Sequence, residues 1–231
     1  MEKLAKGFTL IEIAIVLVII GLLLGGVLKG QELITGARVR NLISQQDGIK
    51  AAFFGFQDRF RALPGDYASA STNINNVSLN GNGNGRIENN AAAPAFTHEE
   101  ILAWNHLTSA GFLNGSFTTA SGDALATDAN TPKNPYSVYI QIIYDNVYGD
   151  ATGPAKTNLK TGSQVPVDIM AEVDRKIDDG LPYAGGFQYS TYVPAPGSPL
   201  SPVTDCVNTG LTPKTWNISG GSTNCGGASL F

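Results

Sequence analysis

The sequence predicts an α+β fold: a long N-terminal helix, membrane-spanning in its first half, packed on a small antiparallel β-sheet with long loops. Three observations carry that prediction. An apolar run from Phe8 to Leu28 holds a single charge, Glu12. Helically spaced apolar residues continue from there to Phe60. Beyond Pro64, short β-branched and aromatic segments alternate with Gly-, Asn- and Pro-rich stretches.

The run Phe8–Leu28 is 21 residues long, and about 20 apolar residues span a bilayer. Lys3 and Lys6 precede it and favour a cytoplasmic leader, which puts the bulk of the chain outside the inner membrane. An ordinary secretory signal has small residues closing its apolar run; here a glycine, Gly7, stands before the run instead. A plain anchor explains the length but neither the Gly7-Phe8 junction nor Glu12. A carboxylate at a span centre costs roughly 2.5–3.5 kcal/mol on insertion scales, so Glu12 calls for a partner.

From Gln31 onward the apolar positions are Leu33, Ile34, Ala37, Leu42, Ile49, Phe53, Phe56 and Phe60, mostly three, four or seven apart, with charged residues mainly on other faces. Phe8–Phe60 as one helix would be about 80 Å long. Gly21, Gly25, Gly26, Gly30, Gly36, Gly48 and Gly55 each cost up to about 1 kcal/mol relative to Ala, and mark places of close helix approach or bending. Leu63-Pro64-Gly65-Asp66 reads as the turn that ends this spine. A second helix is expected over Thr97–Ala110, capped by Thr97, with Ile101, Leu102, Trp104 and Leu107 on its apolar face and Gly111 as its stop. Ser137–Tyr148 and Phe187–Val193 read as strands. VPVDIM from Val165 reads as a strand end, followed by a short helix that Gly180 stops. Pro194–Pro202 is a Pro-rich loop, and no internal repeat is present.

The net charge of −4 and pI of about 5.1 argue against nucleic acid as the main partner. Only 15% of residues are charged and 27 are glycine, as in a loop-rich exported domain. Cys206 and Cys225 either bridge or stay free. An oxidising compartment favours the bridge, worth roughly 3 kcal/mol for a loop of about 20 residues.

The stretch Lys6-Gly7-Phe8-Thr9-Leu10-Ile11-Glu12, followed by about sixteen apolar residues, resembles the processing site of type IV prepilins and type II secretion pseudopilins. Three further patches resemble an ALPGD-containing group of bacterial prepilins: RALPGDYASA around Pro64, the span Asn80–Phe117, and DRKIDDGLP from Asp174. The resemblance implies a leader at 1–7, a membrane-spanning half-helix at 8–28, an amphipathic half at 29–62 and a periplasmic or extracellular globular domain at 63–231. It implies cleavage after Gly7 by a prepilin peptidase, N-methylation of Phe8, and pairing of Glu12 with the α-amino group of a neighbouring subunit's Phe8. The implied partners are other pilins or pseudopilins in a homo- or hetero-polymeric filament, and an inner-membrane assembly platform. Many pilins have a disulfide-closed C-terminal region, so the resemblance also points to a Cys206–Cys225 pair. Where many pilins carry a proline, this chain has Lys29.

One further constellation suggests a metal. Asn80, Asn82 and Asn84 occupy positions one, three and five of a run that opens like an EF-hand calcium loop, with the Arg86 carbonyl next and Glu99 or Glu100 available to close the cage. All three early ligands are neutral, and position twelve is Ala91. Calcium is the one cofactor the sequence suggests. No enzyme is expected: His98 and His106 are eight apart, whereas HExxH needs four, and no GxSxG elbow is present. The leading expectation is a filament subunit. The alternatives are a membrane-anchored periplasmic binding protein that never polymerises, and a minor tip pilin or adhesin.

Overall fold

A computed structural model describes residues 9–89, 98–194 and 198–231. The chain divides into two units, Met1–Arg38 and Val39–Phe231. Helix α1 (Leu10–Phe60) runs through every one of its glycines without a break, and its residues up to Arg38 belong to the first unit. Its side chains here stand exposed: Leu10 by 88% and Leu22 by 73%. The helix is long and apolar enough to cross a membrane. A helix satisfies its own backbone hydrogen bonds, as a segment in lipid must.

The second unit is α+β and is built on the continuation of α1. Val39, Leu42, Gln46, Ile49, Ala52, Phe53 and Phe56 form its buried stripe, at the three-to-four spacing of one helical face. α1 ends at Phe60, where Arg61 takes a left-handed backbone (φ 53) ahead of Pro64. The remaining helices are α2 (Ala70–Asn73), α3 (Glu99–Ser109), α4 (Val167–Ile177) and α5 (Val203–Cys206). The strands are β1 (Gln141–Asp145), β2 (Lys156–Lys160), β3 (Phe187–Tyr189), β4 (Val207–Asn208), β5 (Thr215–Trp216) and β6 (Gly227–Leu230). β1, β2, β6 and β3 make one antiparallel sheet in that order, and β4 pairs with β5.

Pairing puts Ile142, Leu159, Ser229 and Phe187 opposite one another across the sheet, so they share a face. The core falls into two clusters along α1. Ile49, Phe53 and Phe56 pack with Trp104 and Leu107 of α3 and with Ile142 and Leu159. Val39 and Leu42 pack with α4, Phe187, Tyr189, Trp216 and both cysteines. On the other face of the sheet, Lys160 Nζ pairs with Asp145, and Asn158 Nδ2 donates to Asp145 Oδ1 at 3.0 Å. Cys206 and Cys225 are disulfide-bonded, with Cα atoms 5.8 Å apart.

Several sequence expectations need correction. The strand expected at Ser137–Tyr148 is only five residues long, and that at Phe187–Val193 only three. VPVDIM is not a strand end. Val165 alone bridges to Cys225, and Pro166, extended at ψ 141, hands the chain directly to α4. Proline suits that position because it lacks the N–H a helix start leaves unpaired. α3 begins at Glu99 with His98 at its cap position, and Thr97 lies outside the described residues.

The DRKIDDGLP patch ties α4 to the C-terminal segment. Trp216 Nε1 donates to Asp174 Oδ2 at 2.6 Å and Gly180 N donates to Oδ1 at 3.2 Å. Asp178 accepts from the amides of Gly186 and Phe187. Carboxylate oxygens of Asp174, Asp178 and Asp179 lie within 4.8 Å of one another. Burial pushes the Asp174 carboxyl up to about 6 against the pull of these donors, and the two nearby aspartates push the same way.

Two outcomes follow. Phe56 is fully buried, so Phe56→Ala should lower unfolding free energy in urea by about 3–5 kcal/mol. Folded Asp174 takes up its proton near pH 6 and unfolded Asp174 near the ordinary 3.8. Its raised pKa therefore favours the folded state increasingly as pH falls from 8 to 4, and that contribution is lost as pH rises through 6. Asp174→Asn should gain on the wild type by on the order of 2 kcal/mol from pH 4 to pH 8 in urea titrations; parallel pH curves for the two proteins would refute this.

Candidate functional site

Thr9 and Glu12 open α1 with a reciprocal cap. Glu12 N donates to Thr9 Oγ1 at 3.3 Å, and Thr9 N and Oγ1 each donate to Glu12 Oε2 at 2.7 Å. This is a capping box, in which residues three apart satisfy each other's orphan donors at a helix start. The sequence carries its signature, Thr-x-x-Glu ahead of an apolar run, which the expectation of a partner on another chain left unused. Gly7 and Phe8 lie outside the described residues.

The second constellation belongs to the folded unit. Two of the ALPGD-type patches, distant in sequence, converge on one loop. Asp66 accepts from Asn84 N through Oδ1 at 2.9 Å and from Gly85 N through Oδ2 at 2.8 Å, while its carbonyl accepts from Gly83 N at 2.9 Å. Glu99, at the start of α3, accepts from Asn82 N at 2.9 Å and from Glu88 N at 3.1 Å. Two buried carboxylates thus clip the segment 82–88 from either side. His106 fixes the base of the clip: its Nδ1 accepts from Gly65 N at 3.0 Å, its Nε2 faces Leu79 O at 3.3 Å, and its ring stacks on Phe56. Gly65 is needed at φ +89, where a Cβ would stand 2.3 Å from the Glu99 carbonyl oxygen.

Burial dominates the electrostatics. It pushes Glu99 up to about 7, with Asp66 and Glu88 adding repulsion, and it raises Asp66 against the pull of three backbone amides. It pushes His106 down to about 4, so the ring is neutral near pH 7 and serves as both acceptor and donor.

The structure brings only some of the calcium candidates together. Asn82, Asn84 and Glu99 share the clipped loop, joined by Asp66 and Glu88. Asn80 turns to α2, where its Oδ1 accepts from Ser71 N at 2.8 Å. Arg86, whose carbonyl is the candidate, stays in the clipped loop with its amide donating to Asn84 Oδ1 at 2.9 Å, and its guanidinium lies over the Tyr144 ring. Glu100 pairs with His98 at 3.0 Å rather than with the loop. The oxygens that could face an ion are held by backbone amides: Asn82 Oδ1 by Asn84 N, Asn84 Oδ1 by Arg86 N, and both oxygens of Glu99. Asp66 was legible only as the last letter of ALPGD, and nothing local marked it as the partner of a loop 18 residues on.

No curated protein and no solved structure matches the chain. The prokaryotic N-terminal methylation motif matches residues 3–28, which include Thr9 and Glu12. The chain therefore carries, ahead of an α+β folded unit, the signal of type IV pilins and pseudopilins.

Proposed function

We propose that the chain is a structural subunit of a type IV pilus-like filament, serving a pilus or a type II secretion machine. The methylation motif at residues 3–28 carries this reading. The exposed apolar half of α1 supports it, since such a surface must be covered by lipid or by other helices. In this reading residues 1–7 are a leader that prepilin peptidase removes after Gly7, methylating Phe8. Residues 8–28 are stored in the inner membrane, 29–62 continue the helix, and 63–231 form a domain on the periplasmic side and then on the fibre surface. The assembly platform extracts the helix, and Glu12 meets the Phe8 amine of a neighbouring subunit. An ammonium and a carboxylate in an apolar fibre are each costly alone and tolerable as a pair. The clip at Asp66 and Glu99 gives the outer domain a rigid loop and has no catalytic part in this reading.

Shearing fibres from cells and sequencing the N-terminus of this chain in each fraction tests the proposal. A mature chain beginning at methyl-Phe8 is expected in the sheared fibres or, for a short pseudopilus, in the envelope. An unprocessed Met1 start in a host that processes its own prepilins would overturn it. Glu12→Ala should leave cleavage intact and abolish recovery in filaments, whereas a tethered binding protein would keep its location and function with that change.

Calcium is the alternative brace for this loop. An ion on Asn82, Asn84 and Glu99 would share these oxygens with the amide donors they hold, since each oxygen keeps a second lone pair. With the clip as the brace, the melting temperature should not move on adding a calcium chelator; a fall of several degrees would make calcium the brace instead.

A further inference from the structure

The sequence holds four Asn-Gly dipeptides, at Asn80, Asn82, Asn84 and Asn114. This dipeptide is chemically labile because glycine offers no side chain to hinder attack on its neighbour. The backbone nitrogen of glycine attacks the asparagine Cγ, a C–N bond forms, and the Cγ–Nδ2 bond breaks with loss of ammonia. Water then opens the resulting succinimide to aspartate or isoaspartate. Nothing is oxidised or reduced. The reaction needs a glycine nitrogen free to attack and an asparagine side chain free to turn toward it.

Both requirements fail at three of the four sites. The Gly81, Gly83 and Gly85 nitrogens donate to Tyr67 O at 3.1 Å, Asp66 O at 2.9 Å and Asp66 Oδ2 at 2.8 Å. The Asn80, Asn82 and Asn84 side-chain oxygens are held by the amides of Ser71, Asn84 and Arg86 at 2.8–2.9 Å. Asn84 Nδ2 also donates to Glu88 Oε2 at 2.7 Å. Residues 66 and 67 thus hold all three attacking nitrogens.

The fourth site has none of this. Asn114 and Gly115 follow the end of α3, both are exposed, and Gly115 has an open backbone at φ +124. Among the described residues neither the Asn114 side chain nor the Gly115 nitrogen makes a hydrogen bond.

We propose that Asn114 is a site of spontaneous deamidation in the folded protein, and that the clip on Asp66 and Tyr67 protects the three labile pairs of the 80–85 loop. Conversion at Asn114 adds one negative charge and, as isoaspartate, one extra backbone carbon. It does so beside the groove formed by Gly48, Ile49, Phe112, Phe117 and Pro132. Protection in the loop depends on its local opening, and every 1.4 kcal/mol of opening free energy slows reaction about tenfold.

The test is peptide mapping of the full-length protein, purified in detergent with its disulfide intact and incubated at mildly alkaline pH. Deamidation is read as a mass gain of about 1 Da and as isoaspartate. The expected result is conversion at Asn114 at least about tenfold faster than in the peptide holding Asn80, Asn82 and Asn84. In urea the four sites should react at similar rates, which shows that the fold and not the local sequence sets the difference. Asp66→Ala removes the carboxylate that holds Gly85 N, so it should speed conversion at Asn84 most and leave the Asn114 rate unchanged. Should that variant fail to fold, the urea comparison on the wild type still decides. Loop conversion as fast as Asn114 in the folded wild type, or an unreactive Asn114, overturns the proposal.

Discussion

Burial of the α1 stripe from Val39 to Phe56 is the constraint on which the second unit depends, because neither of its cores is complete without it. The strands are two to five residues long, too short to be stable as isolated hairpins. On the sheet's apolar face Ile49, Phe53 and Phe56 cover Ile142 and Leu159, while Phe187 joins the cluster of Val39 and Leu42. The disulfide-closed segment is covered where Val39 and Leu42 meet Trp216 and α4. Between these contacts the stripe passes through Gln46, which is buried and has, among the described residues, no hydrogen-bond partner for either side-chain polar atom. The two cores are thus separate apolar bodies threaded on one helix.

The loop 80–88 reaches order by a different route. It offers glycines, asparagines and one buried apolar side chain, Ile87, which is too little for a core of its own. Its backbone donors must still find acceptors wherever the chain is covered. Asp66 and Glu99 supply them, and hydrogen bonds to carboxylates are roughly twice as strong as neutral ones. The cost appears in the raised Glu99 and Asp66 values, which record how far burial disfavours their charged forms.

Long-range order was legible where a pattern repeated along one element. The α1 periodicity, the α3 apolar face and the alternation of Phe187 and Tyr189 are local signals, and each appears where its residues indicate. β2 and β6 were not read as strands. KTNLK and GASL carry little β-propensity and hold their place through pairing with richer neighbours. At the α4 start Val165 and Val167 carry a β-like local signal, yet the helix begins at Val167 directly after Pro166. At the N-terminus the Glu12 charge was legible, and its Thr9 partner stands only three residues before it. In the loop the asparagines stood out, whereas the acceptors that hold its backbone come from residues 14–19 positions earlier and 11–17 later.

The Thr9–Glu12 box also bears on when the chain is committed to a neighbour. Thr9 lies on the mature side of the expected cut, so removing the leader would leave its amide and hydroxyl in place. The carboxylate then keeps a local ligand in Thr9. If a neighbouring chain's amine pairs with Glu12, as proposed, recruitment becomes a substitution at Glu12 with Thr9 as the outgoing ligand. In the proposed filament its driving force would be the difference between two carboxylate complexes and not the full strength of an ion pair.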